Sequence, residues 1–215
     1  MSLMGRKMER IAYRRCVTRI VAGRFGGRRL IAPPGQLTRP TADRVREALF
    51  SALEAQVGLL DVRFVDLFAG SGAVGLEALS RGAAHSLLVE SDAKAARAIR
   101  DNIERIGAKG HALLVNAKVS TTLAGGPSGD PYDIVFADPP YSLGEDELAE
   151  MLSALVDRGW LAPDAVLVIE RASRSPEPRW VQGVTGERQR RYGETTLWYG
   201  RAALAPLREP RQAEG

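Results

Sequence analysis

Cysteine is nearly absent. The chain of 215 residues holds one, Cys16, and its two histidines, His85 and His111, lie far apart. A disulfide framework is excluded, and no Cys/His pattern is present to ligate a metal. Lysine is scarce, 4 against 26 arginines. No run approaches the roughly 18 apolar residues of a membrane-spanning helix. The basic opening also lacks the apolar stretch of a secretory signal, so a reducing cytoplasm is the expected location.

What remains is ordinary for a globular protein: 45% hydrophobic residues, 26% charged and 22 glycines. One sizeable domain with an appendage is expected. The charge, by contrast, is unevenly placed. Residues 1–46 carry 12 basic and 2 acidic side chains, whereas the whole chain is only +4. A basic arm on a mildly acidic body is the electrostatic footprint of a polyanion partner. Arginine's planar fork suits phosphate. Residues 1–16 read as a disordered basic tail and 204–215 as a frayed one. Met1-Ser2-Leu3 and Glu214-Gly215 read as additions outside the fold.

Two short strand-like runs, Thr18–Gly23 and Arg28–Ala32, flank Arg24-Phe25-Gly26-Gly27 and predict a β-hairpin within an extension over residues 17–40. Thr41 is the expected N-cap of a helix running to about Gln56. From Phe64 onward apolar strands alternate with helices. The strands are Phe64–Phe68, Ser86–Val89, Ala112–Val115, Ile134–Ala137 and Ala165–Glu170. The helices are Val74–Arg81, Ala93–Ile106 and Glu145–Val156. Near-continuous apolar strands between helices predict a parallel sheet covered on both faces. Residues 124–131 read as a loop. Arg188–Tyr192 and Thr195–Gly200 read as a terminal hairpin. Trp160, Trp180 and Trp198 read as core or edge packing.

Two segments carry chemistry. Asp66-Leu67-Phe68-Ala69-Gly70-Ser71-Gly72 leaves the first strand and opens a helix, with Gly75 completing G-x-G-x-x-G. Glu90 closes the second strand, where an acid holds a ribose diol in doubly wound folds. A nucleoside-type cofactor is expected. The helix start accepts either a pyrophosphate or a methionine carboxylate. Asp66 favours the latter, because an acid repels pyrophosphate but accepts a hydrogen bond from an ammonium group. The second segment, Asp138-Pro139-Pro140-Tyr141, ends the fourth strand. Its prolines stiffen the turn. It reads either as a plain strand-ending turn or as a site that accepts two hydrogen bonds from a flat amine and stacks on its ring.

Residues 66–75 resemble the S-adenosylmethionine loop of Rossmann-like methyltransferases. Residues 138–141 resemble the (Asp/Asn)-Pro-Pro-(Phe/Tyr) motif of those that methylate exocyclic base amines. Thr18–Gly23, Gly27–Leu30, Arg39–Phe50, Leu76–Ala83 and Tyr192–Thr195 are similar to the corresponding segments of bacterial 16S ribosomal RNA guanine(966)-N2 methyltransferases. The similarity runs from about Val17 to Gly200. It implies an α/β, class I methyltransferase fold over residues 41–203: a mostly parallel seven-stranded sheet with helices on both faces and a C-terminal antiparallel hairpin. It also implies S-adenosylmethionine as cofactor, held by Asp66, Phe68, Ala69, Gly70, Ser71, Gly72, Glu90, Ser91, Ala117 and Asp138. Asp138, Pro139, Pro140 and Tyr141 become the catalytic turn. The implied substrate is 16S RNA, free or within 30S particles, bound by a monomer without metal.

The candidate RNA grip comprises Arg19, Arg24, Arg28, Arg29, Arg39, Thr41, Arg44 and Arg46. Arg44 and Arg46 have a second reading, pairing with Asp43 and Glu47 or ordering the cofactor pocket. Arg188, Arg190 and Arg191 form a weaker basic patch. Position 118 departs from the family, which commonly places an acid or amide there to accept from the adenine amine. Lys118 cannot accept, so backbone groups of Ala117–Val119 are expected to hold adenine instead. Three rivals share parts of the pattern: a DNA adenine-N6 or protein-glutamine methyltransferase, a non-catalytic RNA-binding assembly factor, and a NAD-dependent oxidoreductase.

Overall fold

The computed structural model describes residues 18–33 and 40–204, with backbone only for 40–42. The tails expected at 1–16 and beyond 204, and Arg39, lie outside the described residues. Seven strands form one sheet. In chain order the elements are α1 (Pro40–Gln56), β1 (Arg63–Asp66), α2 (Ala73–Ser80), β2 (His85–Val89), α3 (Ala93–Arg105), β3 (Ala112–Val115), α4 (Val119–Ala124), β4 (Tyr132–Ala137), α5 (Glu145–Asp157), β5 (Leu161–Ala172), β6 (Val184–Tyr192) and β7 (Thr195–Ala202). The sheet order is β3-β2-β1-β4-β5-β7-β6. The first five of these are parallel, and β7 runs antiparallel to both β5 and β6. The strand order reverses between β1 and β4, which is where an open α/β sheet binds its ligand.

Alternating strand residues feed two apolar layers. Phe64, Leu88, Ile134, Phe136, Val166 and Val168 pack on one face with Leu49, Leu53, Leu76 and Ile99 from α1, α2 and α3. Val65, Leu87, Val135, Leu167 and Ile169 pack on the other with Leu123 of α4 and Leu148, Leu152 and Leu155 of α5. Trp160 and Trp198 are buried in this second layer, with half-buried Trp180 against it. Among the described residues, no helix is long and apolar enough to cross a membrane.

The N-terminal extension packs on the first face through Ile20, Phe25 and Leu30. Among the described residues it is a shorter hairpin than expected, with a single bridge, Arg19 to Arg29. The reason lies in the donors. The Val21 and Ala22 amides donate to the Glu77 carboxylate at 2.7 and 3.0 Å, and the Phe25 amide donates to Ser80 Oγ at 2.9 Å. Groups that would extend a ladder instead fasten the turn to α2.

Other boundaries also differ. α1 starts at Pro40 rather than after a Thr41 cap, which suits proline's fixed φ and missing N–H at a first helical turn. β1 ends at Asp66, before the glycine loop. Helix α4 was not expected; its six residues, Val119–Ala124, are too few to show a period. β5 begins four residues early, at Leu161, with Asp164 at φ 63° and a register shift opposite Tyr132. β6 likewise begins early, at Val184, with an irregularity between Gly186 and Arg188.

Candidate active site

Asp66 ends β1 and is 1% exposed. Its Oδ2 accepts the Gly75 amide at 3.1 Å, while its buried Oδ1 has no partner among the described residues. Burial raises this carboxyl to about 7, partly offset by that amide bond, and the neighbouring Asp138 and Glu90 carboxyls push the same way as burial. The turn after it is closed by the Gly72 amide donating to the Ala69 carbonyl at 2.6 Å, with Gly72 at φ 77° as the N-cap of α2. Gly75 packs α2 onto β2: a Cβ there would lie 2.7 Å from Ser86 Oγ and 2.8 Å from Leu88 Cδ2.

Glu90 follows β2 and receives the Gly70 amide on Oε2 at 2.8 Å and the Asp92 amide on Oε1 at 2.7 Å. The carboxylate is thereby fixed in place, and each oxygen keeps a lone pair for a further donor. A cavity of about 550 Å³ lies beside it, lined by Phe68, Glu90, Ser91, Lys118, Val119 and Met151 among others. Ala117 is not in its lining, whereas Lys118 is, with an exposed side chain at the N-cap of α4. Ala69 is buried, and Ser71 is half-buried with its carbonyl accepting Asn102 Nδ2 at 3.0 Å.

The second half of the site is the turn after β4. Pro139 is buried, and the Pro140 carbonyl closes the turn by accepting the Leu143 amide at 2.9 Å. The Tyr141 ring is 84% exposed. Asp138, Pro139, Pro140 and Tyr141 line a pocket of about 30 Å³ with Glu170 and Thr195. Surrounding protein raises Asp138 to about 6, although water still reaches its carboxyl at the mouth and opposes the rise. Glu170 is raised further, to about 8, by burial and by Asp138, with a Thr195 side-chain bond opposing. Asp66, Asp138 and Glu170 thus stand at the carboxyl ends of three adjacent strands, β1, β4 and β5.

Arg19, Arg24, Arg28, Arg29 and Arg44 are exposed on the extension and α1. The guanidinium groups of Arg24 and Arg28 lie 4.5 and 5.2 Å from the Phe25 ring centre, and Arg28 Nη1 also donates to the Ile106 carbonyl at 2.7 Å. Arg46 is different: it is 6% exposed. Its Nη2 donates to the Arg19 carbonyl at 2.7 Å and pairs with Asp43 at 3.0 Å, and its Nε lies 3.8 Å from Glu77. A side chain so enclosed does not present its charge to RNA; the pairing reading is the one its geometry supports. The backbone of Thr41 lies in α1, and its side chain is outside the description. Arg188, Arg190 and Arg191 are exposed along β6, with Arg188 donating to Gln56 Oε1 at 2.6 Å.

Two participants escaped the sequence reading. Glu170 ends the apolar run of β5, two residues before that strand stops, much as Glu90 follows the apolar run of β2, and that parallel was the available signal. Asn102 lies on the buried face of α3, where a polar residue among apolar positions marks a specific partner.

The acids decide between the cofactors that the glycine turn allows. A pyrophosphate at the α2 terminus would meet Asp66, Asp138 and Glu90. S-adenosylmethionine instead would bring an ammonium group to the unpartnered Asp66 oxygen and a diol to Glu90. Comparison with known proteins identifies the family. The family model described as Conserved hypothetical protein 95 matches residues 18–201. The Escherichia coli K12 protein named Ribosomal RNA small subunit methyltransferase D is 43% identical over 152 residues, 71% of this chain and 73% of that protein. The chain belongs to this methyltransferase family. S-adenosylmethionine is its cofactor. The solved structure of yhhF from Escherichia coli superposes with a TM-score of 0.74 at 34% identity, covering 86% of this chain and 97% of that one. An RNA methyltransferase from Salinibacter ruber, in complex with S-adenosyl-L-homocysteine, shares the fold at 15% identity and a TM-score of 0.56, covering 82% of this chain and all of that one.

Proposed function

We propose that this protein methylates the exocyclic N2 amine of a guanine in 16S ribosomal RNA. The observation that carries the reading is the Asp138–Tyr141 turn beside the cofactor acids Asp66 and Glu90 on one sheet edge. Ribosomal RNA as the substrate rests on the small-subunit relatives and on the exposed arginines of the extension.

When bound, S-adenosylmethionine supplies an electrophilic methyl group on a sulfonium. Asp66 would hold its ammonium end and Glu90 its ribose diol. Backbone groups near Lys118 and Val119 would hold adenine, because a lysine side chain only donates. Guanine N2 is a weak nucleophile because its lone pair is delocalised into the ring. The Asp138 carboxylate and the Pro139 carbonyl accept its two N–H groups and turn the lone pair toward the methyl. Positioning of this kind can supply much of the acceleration. As the N–C bond formed, the methyl's bond to sulfur would break with its electron pair kept by sulfur, leaving S-adenosylhomocysteine, and the now acidic amine would pass its proton to Asp138 or water.

The 30 Å³ pocket holds about one water's volume, so the base lies across its mouth against Tyr141. Such stacking contributes about 1–3 kcal/mol. The base must first leave its own stack to get there. Arg19, Arg24, Arg28, Arg29 and Arg44 grip the flanking phosphates, which positions the RNA without reading its sequence.

The test offers tritiated S-adenosylmethionine to naked 16S RNA, to assembled 30S particles and to DNA, then identifies the labelled nucleoside. N2-methylguanosine from either ribosomal substrate is the expected product. Label in DNA, or on another base, would overturn the reading.

A further inference from the structure

Glu170 bounds the acceptor pocket on the side away from the cofactor. The register of β4 with β5 pairs Ala137 with Ile169, so Asp138 and Glu170 follow side by side at the sheet edge. Phe136 and Val168, two residues earlier in each strand, share one apolar layer with Ile20 and Phe25 of the extension. Side chains two apart in a strand share a face; this places Glu170, and the turn that continues β4, toward the side that carries the arginines. Both carboxyls line the same small pocket with Tyr141 and Thr195.

Among the described residues no arginine pairs with either carboxyl: Arg171, which also lines the pocket, is bonded instead to Glu145 Oε1 at 2.5 Å and the Leu143 carbonyl at 3.3 Å. Two adjacent carboxyls without a cation do not both ionise readily. Glu170 is the one pushed higher, to about 8 against about 6 for Asp138, so it keeps the proton near neutrality. A protonated carboxyl presents one O–H donor beside one C=O acceptor. Guanine held by its N2 amine presents the complement on the same edge: N1–H as donor, then O6 as acceptor.

We propose that Glu170 reads the guanine, its carbonyl accepting from N1–H and its hydroxyl donating to O6 while Asp138 and Pro139 hold the amine. This inference rests on the guanine-N2 reading above. Adenine and cytosine both place an unprotonated ring nitrogen beside their amine. There the carboxyl keeps one bond at most, and a site built for hydrogen bonds rejects bases that leave its groups unpaired.

The test uses 16S RNA, free or reconstituted into particles, in which the mapped target guanine is replaced by 2-aminopurine. That analogue keeps the reacting amine but lacks both N1–H and O6. Wild-type protein is expected to prefer guanine by about 100-fold or more in kcat/KM. Glu170→Ala should lower guanine to the level of 2-aminopurine, so the ratio collapses toward one. Glu170→Gln offers the same C=O and an N–H donor, and should keep guanine activity within about tenfold. S-adenosylhomocysteine binding checks that each variant is folded. A Glu170→Ala protein that keeps the wild-type ratio overturns the inference. If that variant does not fold, loss of preference in folded Glu170→Gln overturns it instead. Failure of the guanine-N2 reading is separate and visible, because wild-type protein would then yield no N2-methylguanosine.

Discussion

Asn102 satisfies both backbone groups of Ile31. Its Oδ1 accepts the Ile31 amide at 2.7 Å, and its Nδ2 donates to the Ile31 carbonyl at 3.0 Å. The same Nδ2 reaches the Ser71 carbonyl at 3.0 Å. One buried amide on α3 therefore ties the basic extension to the cofactor loop. Asn102→Leu keeps the size but leaves three backbone groups without this partner. Such groups cost about 1–3 kcal/mol each when unpaired and buried, so urea denaturation should show a loss of about 3 kcal/mol. Calorimetry should also show weaker S-adenosylhomocysteine binding in the folded variant, since Ser71 belongs to the turn proposed to hold the cofactor. A variant that loses stability but binds cofactor normally would limit Asn102 to fastening the extension.

The ammonium-holding role proposed for Asp66 makes cofactor binding pH-dependent. Its carboxyl is at about 7 in the folded protein against an ordinary 3.8. The folded state therefore holds a proton that the unfolded chain has released, and this group's contribution to stability falls as pH rises from about 4 to 7. A cationic ligand reverses the preference by favouring the ionised form. Affinity for S-adenosylhomocysteine, which carries the same ammonium group, should rise up to about pH 7, with protons released on binding near pH 6.5. Titration calorimetry in two buffers of different ionisation heat measures that release. Asp66→Asn should bind more weakly and largely flatten the dependence.

The two apolar layers were legible because the strands are short, apolar and bounded by glycines and acids. Residues that end strands at the site, such as Asp66, Glu90 and Asp138, stood out by breaking that apolar run. Arg46 did not stand out, because composition counts an arginine as surface charge whether or not a buried carboxylate awaits it. Its partner Glu77 lies on α2, 31 positions away in the chain, and only the fold brings them together. The shortened hairpin has the same origin: the amides of Val21 and Ala22 find Glu77 rather than a neighbouring strand.

At saturating cofactor the activity should be bell-shaped in pH. Asp138, at about 6, must ionise to hold the amine, so the rate rises through that region. Glu170, at about 8, must keep its proton to pair with O6, so the rate falls above it. Among the described residues, the ionisable side chains around this pair are Asp66 from β1, Tyr141 from the turn after β4 and Arg171 from β5, with the Thr195 side chain on β7 bonding Glu170. Because the pair is coupled, the two midpoints belong to the pair. Glu170→Gln should keep the rising limb and lose the falling one. Single-turnover rates between pH 5 and pH 9 (an assay window of about four units) would show both.

The arginines should separate into two classes by salt dependence. Arg19, Arg24 and Arg29 are exposed, and each phosphate contact they make releases a counterion on binding. Alanine at any one of them should weaken RNA affinity and reduce the log–log salt slope by about 1, with stability unchanged within about 0.5 kcal/mol. Arg46→Ala should behave differently. It removes one cation from buried Glu77, which keeps the Arg81 Nε bond at 2.8 Å, and it takes away the donor to the Arg19 carbonyl. A loss of about 2 kcal/mol in denaturation is expected, and the salt slope of the folded fraction should stay at the wild-type value. Filter binding across a salt series, read beside urea melts, checks both classes. An Arg46→Ala protein of normal stability and reduced slope would return that residue to the RNA grip.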